Sequence, residues 1–98
     1  MTIINRRTFI ADRGKAQAVI DLLRTAAQDA RYPYRVCSSY YGAFDAVVLE
    51  VEFDSIAAME EAWAEVNARP GMAEFMDKWY AVTCTGGSNE VWLLEGRG

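Results

Sequence analysis

Residues 42–55, GAFDAVVLEVEFDS, decide how this chain folds. From Asp45 to Phe53 every second residue on one parity is apolar: Val47, Leu49, Val51 and Phe53. Alternation of that kind marks a strand with one buried face. The other parity changes character along the way, from Ala46 and Val48 to Glu50 and Glu52. The strand thus has a second face that starts apolar and ends in two carboxylates. The rest of the chain says what pairs with this strand and what covers each face.

Upstream, residues 34–41 read as a second strand, joined to the first by a tight turn at Gly42-Ala43. If the turn pairs Tyr41 with Phe44, counting back places Ser38 opposite Val47, Val36 opposite Leu49 and Tyr34 opposite Val51. On the other face Cys37 meets Val48 and Arg35 meets Glu50. Further upstream, residues 3–11 (IINRRTFIA) are β-branched and aromatic, and form the first strand. Lying beside the 45–53 strand, it places Arg6 near Glu52 and Thr8 near Glu50. Each carboxylate then has a plausible arginine across the sheet, an arrangement worth roughly 0.2–1 kcal/mol per pair. Such pairing holds both acids ionised and speaks against a shared-proton acid/base pair, the alternative reading of two neighbouring carboxylates.

Two helical patterns flank these strands. Ala16, Val19, Ile20, Leu23, Ala26, Ala27 and Ala30 recur at intervals of three and four, with Asp12 as the expected N-cap. The helix stops at RYP, because a residue before proline is pushed out of the α region. Asp54 or Ser55 caps a second helix whose stripe is Ile56, Met59, Trp63 and Val66, with Glu60, Glu61 and Glu65 toward water. Pro70-Gly71 breaks it, and a short helix follows with Met72, Phe75, Met76 and Trp79 on one side. TCTGGSN reads as a loop and EVWLLE as the last strand, with Trp92 free to face either side.

The order β-α-β-β-α-β is the split βαβ, or ferredoxin-like, arrangement: an α+β fold with a four-stranded antiparallel sheet in the order 4-1-3-2. Right-handed crossovers put both helices on one face. They leave Ile4, Ile10, Tyr41, Ala46 and Val48 on the other, where exposure forgoes roughly 1.5–3 kcal/mol per large aliphatic side chain. No remaining element of the chain covers them, so the expected cover is a second copy. The reading is a homodimer with its sheets face to face, one domain over residues 1–98.

Composition narrows function by exclusion. About half the residues are apolar (52%), so the chain buries a core rather than staying disordered. At this length the core is modest, hiding roughly 60–65% of the unfolded surface. A net charge of −4 speaks against a nucleic-acid partner, which needs a basic face. No apolar run approaches the ~18 residues of a membrane span, and MTIINRRTFIADRG has no signal-peptide core. The expected location is cytoplasmic, with Cys37 and Cys84 reduced and buried. The chain has no histidine, which removes histidine-dependent nucleophile activation, His-ligated haem and most catalytic zinc sites. Neither GKAQ nor TGGS matches a phosphate-binding loop. No metal and no cofactor is called for.

Two stretches carry a family resemblance. RRTFIADRGKAQAVIDLL is similar to an Arg-Thr-aromatic strand leading through a basic-Gly turn into a helix. GAFDAVVLEVEFDSIAAMEEA is similar to a Gly-x-x-(Asn/Asp)-x-Val-Val strand followed by an aromatic-x-Ser helix start, and RPGMAEFMDKW is a looser third match. On these the chain resembles the dimeric α/β-barrel superfamily, most of all its NIPSNAP group and more distantly the antibiotic-biosynthesis monooxygenases. The resemblance implies a homodimer whose sheets close a barrel, and a ligand cleft between the helices and the sheet of each subunit. Carried over by position, Arg7, Phe9, Leu49, Val51 and Phe53 face that cleft. The monooxygenases often have asparagine where Arg7 stands and tryptophan where Phe53 stands. The haem degraders of the superfamily add a histidine that this chain lacks.

The candidate cleft residues are therefore Arg7, Phe9, Tyr34, Ser38, Tyr40, Phe53, Trp63 and Trp79. Arg7 is the most informative, because a guanidinium among apolar side chains needs a carboxylate, a carbonyl or an anionic ligand. It either pairs with a helix acid or strand-end solvent, or it recognises a ligand carboxylate or enolate. Tyr34, Ser38 and Tyr40 share its face by hairpin counting. Trp63 and Trp79 are core residues or cleft walls. No catalytic residue is identifiable. Two functions fit: binding of a hydrophobic small organic molecule, with metal-free, cofactor-independent oxygenase, isomerase or cyclase activity as its extension, or a non-catalytic dimeric binding or scaffold domain.

Overall fold

In the computed structural model, which describes residues 1–98, the opening stretch is an interior strand of a four-stranded sheet. The elements are β1 (Ile3–Ala11), α1 (Ala16–Ala27), β2 (Tyr34–Ser38), β3 (Ala46–Phe53), α2 (Ile56–Asn67), α3 (Met72–Val82) and β4 (Thr83–Leu93). The sheet order is β2-β3-β1-β4 and every pair is antiparallel. It is the ferredoxin-like α+β arrangement expected from the sequence.

The β2–β3 register is the one the hairpin count gives: Tyr34 opposite Val51, Arg35 opposite Glu50, Val36 opposite Leu49, Cys37 opposite Val48 and Ser38 opposite Val47. The turn is wider than expected. β2 ends at Ser38, and residues 39–45 leave the sheet, with Asp45 in the left-handed region (φ 59°). The aromatic residues Tyr40, Tyr41 and Phe44 of this loop project into water, so Tyr41 does not join the outer sheet face.

The β1–β3 register differs from the expectation by two residues. Arg6 stands opposite Glu50 and Ile4 opposite Glu52. Parity is preserved, because a shift of two keeps every side chain on its face. Glu50 consequently receives both arginines, Arg6 Nε at 2.6 Å and Arg35 through an Nη bond. Burial raises the Glu50 pKa, but these two partners outweigh it and hold the carboxyl below the usual range. Glu52 is served instead by Arg97 of the C-terminal tail (2.6 Å), whose hydrogen bond lowers its pKa. Both acids are held ionised, each by its own partners.

The core lies between sheet and helices. Ile3, Ala11, Val47, Leu49, Val51 and Phe53 from the sheet meet Val19 and Leu23 of α1. α1 begins later than expected. Asp12 accepts the Lys15 amide in a turn through Gly14 (φ 80°), and Lys15 occupies the cap position without a side-chain bond. α2 starts as read, with Ser55 Oγ accepting the Ala58 amide at 3.0 Å. Ile56 of its stripe is exposed.

TCTGGSN is not a loop. β4 runs through it, bulging where Phe9 of β1 stands opposite Thr85, Gly86 and Gly87. Glycines that look like a breaker in sequence here let two backbones meet: a Cβ on Gly87 would lie 2.0 Å from the Thr8 carbonyl oxygen. The cysteines also differ from expectation. Both are exposed and free, Cys37 on edge strand β2 and Cys84 on edge strand β4, where one side of each strand has no neighbour. Trp92 faces away from the helices, opposite Ile4, with the Arg6 guanidinium 5.6 Å from its ring centre.

Candidate functional site

α2 and α3 have no fully buried residue, and the reason is the space beneath them. A cleft of about 560 Å³ opens between the sheet, the end of α1 and the inner sides of α2 and α3. α1 contributes Ala26 and Ala27, whose side chains are too small to fill the space above the sheet, and Ala30 follows from the turn beyond the helix, which ends at Ala27, before the RYP stop expected from the sequence. Arg7 and Phe9 of β1 and Leu49, Val51 and Phe53 of β3 form the floor. They alternate along two central strands, so all five point the same way.

The side walls are aromatic. Phe9 meets Trp79 edge-on at 4.7 Å between ring centres, and Phe75 stacks on Trp79 at 6.0 Å. Phe53 contacts Tyr32 at 4.8 Å and Trp63 at 6.5 Å. At the C-terminal ends of α1 and α2, Arg31 pairs with Glu65 (2.7 Å), and Arg69 donates to the Ala26 carbonyl (2.9 Å). These two links hold α1 to the α2–α3 corner beside the cleft.

The polar centre of the site is Asn5, 1% exposed, on the helix side of β1. Its Oδ1 accepts from Trp63 Nε1 (2.9 Å) and from Arg7 Nε (3.2 Å). Its Nδ2 donates to Asn89 Oδ1 (2.7 Å) and to the Glu90 carbonyl (2.9 Å). The indole and guanidinium N–H groups can only donate and the peptide carbonyl can only accept, so the amide has one permitted orientation. Asn5 thereby ties β1, β4 and α2 together and sets the position of Arg7. The Arg7 guanidinium lies 3.8 Å from the Trp63 ring centre, a close cation–π contact. Burial lowers its pKa, yet arginine remains charged at any physiological pH.

Arg7 has no carboxylate partner. The helix acid allowed for in the sequence does not reach it: Glu65 is taken by Arg31, while Glu50 and Glu52 lie on the opposite sheet face. The two terminal nitrogens of Arg7 make no hydrogen bond within the protein. They are not sealed in either, since no buried side-chain nitrogen or oxygen in the chain lacks a partner. They open onto the cleft, which Arg7 lines.

Of the residues expected at the site, Arg7, Phe9, Tyr34, Phe53, Trp63 and Trp79 line the cleft together. Ser38 and Tyr40 do not. Ser38 is exposed at the end of β2, and Tyr40 lies in the 39–45 loop against Tyr41, where hairpin parity no longer orients side chains. Asn5 and Tyr32 escaped the sequence reading. Asn5 had one available signal, a polar residue at a buried parity position between Ile3 and Arg7. Its partner Asn89 did not, because TCTGGSN read as a loop, and Glu90 contributes a backbone carbonyl, which no side-chain pattern reveals.

No protein-family model matches the chain, and no curated protein matches it. Solved structures do. A NIPSNAP-like domain protein from Burkholderia xenovorans superposes with a TM-score of 0.85 at 12% identity, over 99% of this chain and 88% of that one. A NIPSNAP family protein from Agrobacterium tumefaciens gives 0.80 at 14% identity, covering 95% and 92%. A putative antibiotic biosynthesis monooxygenase from Chloroflexus aurantiacus gives 0.74 at 15% identity, covering 100% and 98%. At these identities the likeness is one of fold. The sequence resemblance to the NIPSNAP group and the monooxygenases holds at that level, and this chain has the ferredoxin-like α+β fold of NIPSNAP-like domains.

Proposed function

We propose that the chain is a homodimeric module that binds a small, largely apolar organic molecule in the cleft of each subunit. The observation that carries this reading is the cleft itself, about 560 Å³, walled by aromatic side chains. That size lies within the ~300–1,000 Å³ of small-molecule sites, which pair apolar walls with a few placed polar groups. Trp63 and Trp79 stand at its sides rather than filling it, which favours binding over a plain scaffold. Fluorescence titration with 2-naphthamide, a flat neutral probe, tests the reading. It should perturb tryptophan emission saturably. Ala26→Phe, which fills the cleft from α1, should weaken binding at least about tenfold while changing stability by less than about 1.5 kcal/mol. No saturable binding, or equal binding by the filled variant, overturns the reading.

The dimer rests on the outer sheet face. Ile4, Ile10 and Val48 are only half-buried there, beside Trp92 at 51% exposure, and no helix lies over them. A second sheet packed on this face would remove them from water and enclose the Glu50 and Glu52 pairs. Wild-type protein should sediment as a dimer at micromolar concentration. Val48→Arg should shift it to monomer, since it places a third cation beside Arg6 and Arg35, whereas Glu61→Arg on exposed α2 should leave assembly unchanged. A folded wild-type monomer at that concentration would sink this half of the proposal.

A further inference from the structure

Four arginines meet an acid: Arg6 and Arg35 hold Glu50 and Arg97 holds Glu52 on the far sheet face, and Arg31 holds Glu65 at the cleft's edge. Arg7, on the cleft floor, meets none. It is a half-buried cation whose Nε is fixed by Asn5, whose plane lies against Trp63, and whose other two nitrogens are presented unpaired to the open cleft. Burying a charge without a partner is costly, and the indole face offsets only part of that cost. The same restraints leave a guanidinium edge already oriented, so a ligand that meets it loses little further freedom.

We propose that the cleft selects an organic acid: a flat, apolar molecule bearing one carboxylate, received by the free edge of Arg7. The inference rests on the cleft being a ligand site and adds the chemical class of what it takes. Two parallel N–H···O bonds from one guanidinium match the planar carboxylate. The aromatic walls, Phe9, Phe53 and Trp79 among them, then take the rest of the molecule. One charge is the right number. Arg31 is neutralised by Glu65, and Arg69, which keeps its charge, lies at the α1–α2 corner with an Nη donating to the Ala26 carbonyl. A dianionic phosphate would carry a further negative charge that Arg7 alone does not balance and that only the corner Arg69 could meet. Asp29 and Glu65 also line the cleft, and they disfavour a second anionic group on the ligand.

The test uses three probes with the same ring system: 2-naphthoate, neutral 2-naphthamide and dianionic 2-naphthyl phosphate, titrated by calorimetry into the full chain. Wild-type protein should bind the carboxylate on the order of 10- to 100-fold more tightly than the amide, the usual worth of a charged hydrogen bond. The phosphate should bind more weakly than the carboxylate. Arg7→Met keeps most of the stem's bulk and should abolish the preference for the acid while leaving amide affinity within about twofold. Arg7→Lys keeps the charge without the planar fork and should retain only part of the preference. Circular dichroism establishes that each variant is folded, and the wild-type comparison among probes needs no variant. If amide and carboxylate bind wild type equally, or Arg7→Met weakens both alike, acid selection is wrong while cleft binding stands. Tighter binding of the phosphate overturns the single-charge argument. If no probe binds, the cleft reading fails and this inference with it.

Discussion

Asn5→Leu should destabilise the protein by about 3–5 kcal/mol, although leucine has the same branched heavy-atom outline as asparagine. The substitution leaves the Trp63 N–H, the Arg7 Nε–H, the Asn89 amide and the Glu90 carbonyl without their partner in one step. Each buried group so orphaned costs about 1–3 kcal/mol, and some of the four will recover a bond to water. For a domain of this length, each kilocalorie shifts Tm by roughly 4–8 °C. The expected result is therefore a loss of well over ~10 °C, measured at fixed protein concentration because the proposed dimer would add to apparent stability. Asn5→Asp makes an instructive comparison. It keeps the acceptor for Trp63 and Arg7 but loses both donors to β4, and should fall between wild type and leucine. A change below about 1 kcal/mol for Asn5→Leu would mean that the network is incidental to the fold.

Gly87→Ala should be nearly as damaging, for a steric reason. A methyl group there would sit 2.0 Å from the Thr8 carbonyl oxygen and 2.9 Å from its carbon. Both are backbone atoms, which cannot turn aside as a side chain can. The residue also has φ of 87°, where an L side chain costs about 1–2 kcal/mol before any clash. β4 would have to lift from β1 at the bulge, taking Asn89 and Glu90 away from Asn5 with it. The expected loss is about 3 kcal/mol or more, with hydrogen-exchange protection falling first along β4. Gly14→Ala is the control. Its φ is similar at 80°, but nothing lies within 4 Å of its Cβ position. It should cost only the conformational part, about 1–2 kcal/mol. Equal losses at the two positions would show that the close approach at Thr8 is not what holds the bulge.

Both predictions rest on contacts between distant parts of the chain, which local sequence patterns do not reveal. Alternation in β3 and the three-four spacing of α1 were legible because they are local: side-chain direction repeats every two or 3.6 residues whatever lies around the element. The β2–β3 register was legible for the same reason, since a short connection limits the pairings two adjacent strands can adopt. The helix-side placement of Arg7, Phe9 and Phe53 followed from parity alone. The lengthwise position of β1 on β3 did not, because a long segment separates them and a two-residue slip leaves the same faces buried. Arg6 therefore meets Glu50 rather than Glu52.

What the sequence by itself determined is the architecture: four strands in the order 4-1-3-2, helices on one face, and a floor of alternating residues with a single arginine among them. Each of these follows from periodicity and from chirality rules that act within a few tens of residues. Only the tertiary structure decided that Gly86 and Gly87 continue a strand, that Asn5 is the buried junction of three elements, that Cys37 and Cys84 lie exposed, and that a cleft stays open beside an unpaired Arg7. Those outcomes depend on which backbone atoms from distant parts of the chain approach within a few ångströms. A glycine in a bulge and a glycine in a loop look the same until the strand beside it is in place.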